Sequence, residues 1–203
     1  FKCDWSSDVC SSDLQVLDVD HEGERLIVNT VRNGIVTCEL GGEYQCHNIN
    51  TVLVAEGILE QLGFKLKSEL VNWSFNRISR TTGLMGRWMT VSNEPCRTIC
   101  DSGHNIAGIT AVVHQLAHEH YDHLHMVMGF MRDKDLQHIL PLLPKHATYY
   151  YTQAQTPRAL PAADLRDMAA PYGLRGEGYA DVTEALAAAR IAAAPHDLIY
   201  IGG

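Results

Sequence analysis

The sequence has little positive charge and no long apolar run. Its 203 residues carry 16 Lys and Arg against 24 Asp and Glu, which gives a formal net charge of −8. Because Lys and Arg do not cluster, this balance argues against a nucleic-acid-binding protein. No apolar stretch is long enough to span a bilayer, and no signal-peptide pattern is present, so we expect no membrane partner.

Cysteine is present, but not in a metal-binding or disulfide pattern. The six Cys are irregularly spaced and include no Cys-x-x-Cys pair, which argues against a zinc ribbon and against a disulfide framework. Free thiols persist in reducing compartments, so we expect a cytoplasmic protein. The hydrophobic content of 46% is ordinary for a globular protein, and the length suits one large domain or two small ones.

The first fourteen residues differ from the rest of the chain. Residues 4–14 read DWSSDVCSSDL, with no apolar period and no turn pattern. They match the translation of a common sequencing adapter, whereas the alternative interpretation is a natural loop rich in Ser and Asp. We interpret residues 1–14 as non-native and exclude them from functional reasoning, as one would an expression scar.

Residues 15–45 predict a small antiparallel sheet. Asn33-Gly34 is a turn signal between two of the apolar runs. Strands are expected at residues 16–19, 26–28 and 35–38.

Residues 47–82 predict two helices. We expect Asn48 or Asn50 to cap the first helix, Gly63 to end it, and Ser68 to cap the second. The apolar residues expected to be buried are Val52, Leu53, Ile58, Leu59 and Leu62 in the first helix, and Leu70, Val71, Trp73 and Phe75 in the second.

After residue 82 the pattern becomes a regular alternation of strands and helices. Such alternation predicts an α/β fold with a parallel sheet and right-handed crossovers. Strands are expected at residues 97–100, 125–129, 148–152 and 198–201, with a weaker candidate at 173–178; helices are expected at 106–118, 135–140, 162–170 and 182–193. We place the domain boundary at this change of pattern, between residues 15–86 and 87–203.

One stretch, residues 86–105, contains the candidate ligand-binding residues. Its polar end, DSGHN, lies where the strand 97–100 ends and the helix 106–118 begins. In an open α/β sheet, ligands bind outside the carboxyl ends of the strands, and a helix N-terminus favours anions. Asp101 can accept hydrogen bonds from a ribose diol, Arg87 offers a planar fork to phosphate, and Gly103 allows close backbone approach.

This stretch also resembles a known family. A Gly-Arg-aromatic run followed closely by Asp-x-(Gly/Ala)-His-Asn is similar to the bifunctional dihydrofolate synthase/folylpolyglutamate synthase family of the Mur ligase superfamily. The resemblance extends over residues 15–203. It includes the runs TGLMGRW (82–88), MGFMRDKD (128–135) and TQAQTPRALP (152–161). Together these runs are specific, whereas Gly-Arg alone would be a weak signal.

The resemblance implies a domain assignment. Residues 87–203 would form a Rossmann-like C-terminal Mur ligase domain with a mainly parallel sheet. Residues 15–86 would be the C-terminal part of the central P-loop ATPase domain, and residues 81–87 would be the hinge.

The resemblance also implies an activity. ATP would phosphorylate a carboxylate of dihydropteroate or of a folate glutamyl tail, and the amine of L-glutamate would attack the acyl phosphate to form an amide. Matched residue by residue, Asn48, Arg87 and Asp101 would contact ATP, and His104 would lie near the transferring phosphate as the catalytic candidate. ATP and Mg²⁺ are the implied cofactors, and we expect a monomer.

The family's phosphate loop, Gly-x-x-Gly-Lys-Ser/Thr, does not occur in this sequence. In the family, that loop and the carboxylate and His ligands of Mg²⁺ lie upstream of the position of residue 15, and family members continue beyond the position of Gly203. We therefore expect a fragment that is inactive alone and contributes no metal ligand.

Residues 118–123 read HEHYDH and fit the His-x-His-x-Asp-His pattern of metallo-β-lactamases. That motif should follow a buried strand, but here it ends a predicted helix and precedes a strand. We therefore interpret it as a polar helix end, where His also suits the helix dipole. Nothing near Cys96 or Cys100 is expected to activate a thiol.

Alternative functions stay open. Another Mur-type ligase would add amino acids to a cell-wall precursor, whereas a non-catalytic nucleotide-binding α/β domain would bind ATP without turnover. A metallohydrolase is a more distant alternative, because it depends on the histidines of residues 118–123.

Overall fold

The structure is a computed structural model that describes residues 15–203. Our interpretation of residues 1–14 as adapter-derived lies outside the described residues. The chain divides into two units, the first ending at Met85 and the second spanning Gly86–Gly203. This division lies one residue before the boundary we expected from the sequence.

The first unit contains an antiparallel sheet with the strand order β1-β2-β3. The strands are β1 (Val16–Glu22), β2 (Arg25–Thr30) and β3 (Gly34–Cys38), which confirms the three predicted strands. Gly34 has a left-handed backbone with φ 63°. The hydroxyl of Thr30 donates to the Gly34 carbonyl at 2.8 Å, so the turn closes where Asn33-Gly34 predicted it.

Three helices follow in the first unit rather than two: α1 (Gln45–Gln61), α2 (Ser68–Phe75) and α3 (Ile78–Thr82). The cap predicted for α1 is wrong, because α1 begins three residues before Asn48 and no side chain among residues 15–203 caps it. Backbone bonds lead into α1 instead, since the N–H of Gln45 donates to the Gly42 carbonyl at 2.8 Å. The Ser68 cap is also wrong, since Lys67 holds the cap position.

The predicted buried face of α1 is largely wrong. Val52, Ile58, Leu59 and Leu62 are exposed, and the buried positions are Gln45, Cys46, Ile49, Asn50, Leu53 and Glu56. Asn50 takes a core position because its side-chain oxygen accepts the N–H groups of Gln15 at 2.7 Å and Val16 at 3.2 Å. A pattern of apolar residues alone could not identify a face that contains such a polar contact.

In α2, Phe75 is buried as predicted, whereas Leu70 and Trp73 are exposed. The end of α1 is also as predicted, because Gly63 follows it with φ 93°. Glycine adopts this left-handed conformation at no steric cost, which is why it ends helices.

The second unit contains a six-stranded sheet with the order β4-β5-β9-β6-β7-β8. The strands are β4 (Met89–Ser92), β5 (Arg97–Cys100), β6 (Leu124–Met128), β7 (Thr148–Tyr151), β8 (Arg175–Gly178) and β9 (Leu198–Gly202). All neighbours pair parallel except β4, which is antiparallel to β5. The predicted parallel α/β fold is therefore confirmed, and β4 is an edge strand that the sequence analysis missed.

The helices of this unit end within two residues of their predicted positions. They are α4 (Ile106–Leu116), α5 (Leu136–Ile139), α6 (Ala162–Ala169) and α7 (Val182–Ala192), and short 3₁₀ turns at Leu140–Leu142 and Ala170–Tyr172 extend α5 and α6. Across residues 15–203, no helix combines the length and the apolar character that a membrane crossing requires.

Both faces of the parallel sheet are buried. One face packs against α4, α5 and α6 and includes Met126, Tyr149 and Tyr200. The other packs against α7 and includes Val127, Tyr150 and Ile199. Alternate residues of β6, β7 and β9 thus enter opposite cores, as expected for a sheet covered on both sides.

A buried polar contact joins β6, β7 and the start of β9 beneath α7. The imidazole of His125 lies 3.1 Å from Asp197 Oδ2 through Nε2 and 3.0 Å from the Tyr150 hydroxyl through Nδ1. A neutral ring satisfies both contacts, with Nε2–H donating to the carboxylate and Nδ1 accepting from Tyr150. Burial lowers the pKa of His125 and outweighs the opposing hydrogen bond to Asp197, which favours the neutral ring.

This contact predicts a loss of stability in acid. The unfolded chain binds a proton at His125 near pH 6.5, whereas the folded chain binds it only at lower pH. The stabilisation is therefore complete above the unfolded pKa and is lost as the pH falls from there toward the folded pKa. We expect His125→Gln to reduce the loss in unfolding free energy between about pH 7.5 and about pH 5.5, measured by urea titration.

The matched control is His120→Gln, which removes an exposed histidine of the segment that leads into β6. This control should leave the pH dependence as it is in the original sequence. An equal change in both variants would mean that His125 has no special part in the acid sensitivity.

Candidate functional site

The candidate site lies at the carboxyl ends of the parallel strands. Asp101 follows β5 directly, and its N–H donates to the Ile201 carbonyl of β9 at 3.0 Å. Gly129 follows β6, and its N–H donates to the Gly202 carbonyl at 3.2 Å. The polar loop predicted from the sequence therefore lies at the carboxyl ends of the strands, where α/β proteins bind their ligands.

Hydrogen bonds join this loop to the segment that precedes β4. The N–H of Ser102 donates to the Gly86 carbonyl at 2.8 Å. The N–H of Trp88 donates to Asp101 Oδ2 at 2.7 Å, and the N–H of Gly103 donates to Asp101 Oδ1 at 2.7 Å. We call these three bonds the Asp101 clamp.

Trp88 has an unusual backbone conformation at this point. Its φ is 50°, in the left-handed region, which costs a residue with a side chain about 1–3 kcal/mol. Its side chain is 5% exposed, and its ring centroid lies 6.3 Å from that of Tyr200. Core packing and the bond to Asp101 together hold this conformation.

Arg87 lies between Gly86 and Trp88, which the clamp bonds to the loop after β5. It is partly exposed, and its guanidinium makes no hydrogen bond or ion pair with residues 15–203. A guanidinium without a protein partner remains free to bind an anion with its fork of N–H donors.

Asp101 has a role that the sequence analysis missed. It is 2% exposed, and each of its carboxylate oxygens accepts a backbone N–H. Each oxygen has a second lone pair, so these bonds are compatible with a further acceptor role. The expected contact with a ribose diol stays a prediction.

His104 is exposed, and its Nδ1 lies 2.9 Å from the Ser102 carbonyl. This bond orients the ring within the loop, but the role expected for His104 stays a prediction. The next residue, Asn105, caps α4 by accepting the N–H of Gly108 at 2.8 Å. This cap was not among the predictions, although an Asn directly before an apolar helical pattern is its usual signal.

Residues 86–203, more than half of the chain, match the family of the Mur ligase, glutamate ligase domain. The chain belongs to the Mur ligase family. The match begins at Gly86 and so includes Arg87, the Asp101 clamp and His104.

Several relatives of this Mur ligase chain are folate-pathway proteins by name. The chain is 27% identical over 187 residues to a probable bifunctional folylpolyglutamate synthase/dihydropteroate synthase of Haloferax volcanii, covering 91% of the chain and 21% of that protein. It is 26% identical to a Mycobacterium tuberculosis folylpolyglutamate synthase solved with ADP and AMPPCP, covering 95% of the chain and 46% of that structure, with a TM-score of 0.78.

A more distant structure shares the fold. It is a bifunctional folylpolyglutamate synthase/dihydrofolate synthase of Yersinia pestis complexed with AMPPNP and Mn ion. The identity is 24%, the TM-score is 0.59, and the match covers 74% of the chain and 35% of that structure. The Mur ligase chain thus spans less than half the length of each of these relatives.

Of the predicted site residues, Arg87, Asp101 and His104 lie in the two joined segments of the second unit. Asn48 belongs to the first unit, where it lies inside α1 and is exposed. Its side-chain N–H donates to Gln45 Oε1 at 2.7 Å. The nucleotide contact expected for Asn48 stays a prediction.

The side chains of the His-rich segment do not converge as the metallo-β-lactamase pattern would require. Within residues 118–123, no three His, Asp or Glu side chains bring ligand atoms within 4.8 Å of one another. His118 Nδ1 contacts the His114 carbonyl at 2.8 Å, and His123 Nε2 contacts the Thr148 hydroxyl at 2.8 Å. The segment leads from α4 into β6, as its context in the sequence predicted.

The two cysteines of the second unit are poor nucleophiles. Burial raises the pKa of Cys96, and the Asp197 carboxylate raises it further. Burial and the adjacent Asp101 raise the pKa of Cys100 in the same way. Both thiols therefore stay protonated near neutral pH, in agreement with the sequence analysis.

The left-handed backbone of Trp88 predicts an unusual order of stability. Trp88→Ala and Trp88→Gly both remove the buried ring, which costs about 3–5 kcal/mol. We expect Trp88→Gly to be about 1 kcal/mol more stable than Trp88→Ala, because glycine adopts a positive φ without strain. Urea unfolding of the two variants measures this difference.

The control is the same pair of substitutions at Thr110, an exposed residue of α4. There glycine should be about 1 kcal/mol less stable than alanine, because it is the poorer helix former. Finding alanine more stable than glycine at position 88 as well would contradict the argument.

Proposed function

We propose that the whole protein containing this chain is an ATP-dependent carbon–nitrogen ligase. It adds L-glutamate to dihydropteroate, to the glutamyl tail of folates, or to both. The observation that carries the proposal is the Mur ligase, glutamate ligase domain match over residues 86–203, which includes the candidate site. The names of the Haloferax volcanii and Mycobacterium tuberculosis relatives support the folate substrates.

The nucleotide is ATP, and the residues of the site suit it. The relatives from Mycobacterium tuberculosis and Yersinia pestis were solved with ADP and ATP analogues. Arg87 offers a planar fork of N–H donors to a phosphate group, and Asp101 offers carboxylate oxygens to a ribose hydroxyl. Asn48, in α1, is a further residue that we assign to the nucleotide.

The reaction proceeds through an acyl phosphate. A carboxylate oxygen of the acceptor attacks the γ-phosphorus of ATP, and ADP leaves. The amine of L-glutamate then attacks the acyl carbon, loses a proton and displaces phosphate, which leaves an amide. Since phosphoryl transfer needs little covalent help, the protein contributes positioning and charge stabilisation.

His104 is the catalytic candidate. Its exposed ring at the edge of the sheet suits contact with the transferring phosphate or the incoming glutamate. A divalent cation, Mg²⁺, completes the proposal, since the Yersinia pestis relative was solved with Mn ion. We assign no residue of this chain to that cation. A cytoplasmic monomer remains our expectation.

Arg87→Ala in the whole protein tests the proposal. Removing a hydrogen bond to a charged group costs about 1.5–3 kcal/mol, so kcat/KM for ATP should fall roughly 10- to 150-fold. The assay is ATP-dependent incorporation of L-glutamate with dihydropteroate or a folate as acceptor. Arg87→Lys should recover part of the loss, because lysine keeps the charge but not the fork.

The matched control is Arg166→Ala, which removes an exposed arginine of α6 that contacts Asp167. This control should retain the original kcat/KM. Unchanged kinetics in Arg87→Ala would remove Arg87 from the site. Glutamate incorporation into a cell-wall precursor, but not into folates, would favour another Mur-type ligase.

A further inference from the structure

We propose that Asp101 is a positioning residue that sets the direction of Arg87. This role is distinct from a ribose contact, because it operates through the protein backbone. The inference rests on the proposed function, in which Arg87 binds a phosphate group of ATP. It is carried by the Asp101 clamp and by the backbone conformation of Trp88.

The clamp holds the backbone on both sides of Arg87. On one side, the Gly86 carbonyl accepts the Ser102 N–H at 2.8 Å. On the other, the Trp88 N–H donates to Asp101 Oδ2 at 2.7 Å. Both partners belong to the loop that leaves β5, so the position of Arg87 is tied to the end of that strand.

The side chain of Arg87 provides no such restraint. Its guanidinium makes no hydrogen bond or ion pair with residues 15–203. The direction of this side chain therefore depends on its backbone, and the backbone depends on the clamp.

Trp88 makes the arrangement sensitive to Asp101. It separates Arg87 from the first residue of β4, and its φ of 50° is unfavourable for a residue with a side chain. Without its bond to Asp101, the backbone of Trp88 would relax toward negative φ. A change in φ is a rotation about the N–Cα bond of Trp88, and this rotation would turn Arg87 away from its position relative to the sheet.

Both oxygens of Asp101 are needed. The bond from the Gly103 N–H to Oδ1 at 2.7 Å fixes the carboxylate so that Oδ2 faces Trp88. In Asp101→Asn, one oxygen becomes an NH₂ group. One of the two backbone N–H groups then faces a donor and loses its acceptor. The substitution keeps the side-chain shape while breaking half of the contact.

A double-mutant cycle separates the two roles of Asp101. The whole protein is assayed as the original sequence, Asp101→Asn, Arg87→Ala and the double variant, with ATP and with 2′,3′-dideoxy-ATP. We expect Asp101→Asn to raise the KM for ATP roughly tenfold with kcat changed less. In the Arg87→Ala background, with 2′,3′-dideoxy-ATP, it should change KM by less than about twofold, because Arg87 transmits the effect and the ribose hydroxyls are absent.

The dideoxy nucleotide excludes a contact with the ribose hydroxyls. If Asp101 acts through Arg87, Asp101→Asn still raises KM severalfold for 2′,3′-dideoxy-ATP, and any extra rise with ATP measures the ribose contact of the proposed function. A penalty that disappears with 2′,3′-dideoxy-ATP, or that is equal in both Arg87 backgrounds, overturns the positioning role and leaves the ribose contact. A structure of Asp101→Asn with Arg87 unmoved also overturns it.

Controls distinguish the possible failures. Asp164→Asn makes the same charge change at an exposed residue of α6 and should leave KM unchanged. If Asp101→Asn does not fold, Asp101→Glu keeps the charge but displaces the oxygens, and the same Arg87-dependent rise in KM is expected. If the original protein uses no ATP, the proposed function fails. Hydrogen exchange at the Trp88 amide tests the inference separately: an unchanged exchange rate in Asp101→Asn would mean that Asp101 does not hold the backbone of Trp88.

Discussion

The fold of the second unit depends on covering both faces of a parallel sheet. Strands β6, β7 and β9 carry buried side chains on both faces, so helices must pack on each side. α4, α5 and α6 cover one face, and α7 covers the other. This arrangement brings the carboxyl ends of the parallel strands to the same end of the sheet, where the loop after β5 meets the ends of β6 and β9. At that end His104 is exposed and Arg87 is partly exposed, so both side chains can reach a ligand.

At this end of the sheet, the carboxylate of Asp101 holds the backbone of the candidate site in place. Asp101 is almost fully buried, and its cost of burial is offset by two backbone N–H groups. These bonds join the segment before β4 to the loop after β5 and stabilise a left-handed tryptophan. Asp101, which the family resemblance associates with ATP, thus also shapes the segment before β4 that contains Arg87. A binding role and a structural role can coexist because each carboxylate oxygen accepts more than one hydrogen bond.

The sequence predicted the second unit better than the first for physical reasons. In the second unit, strands buried on both faces are short continuous apolar runs, and β5 was predicted at its observed bounds. In α1, by contrast, Asn50 occupies the core because the backbone of β1 supplies hydrogen-bond donors to its side chain. Such a partner is distant in sequence and invisible to a hydrophobic pattern. β4 was missed because it is a short edge strand, partly exposed, and its pairing with β5 is tertiary.

The sequence by itself determined the alternation of strands and helices, the position of the polar loop after β5, and the motifs that identify a Mur ligase. These features are local, since they depend on side-chain period, turn residues and short runs of residue types. Only the tertiary structure decided the strand order, the edge position of β4, the left-handed backbone of Trp88 and the second role of Asp101. Those features require groups far apart in the chain to meet, and their energies come from burial and hydrogen bonds that form only when the sheet is assembled.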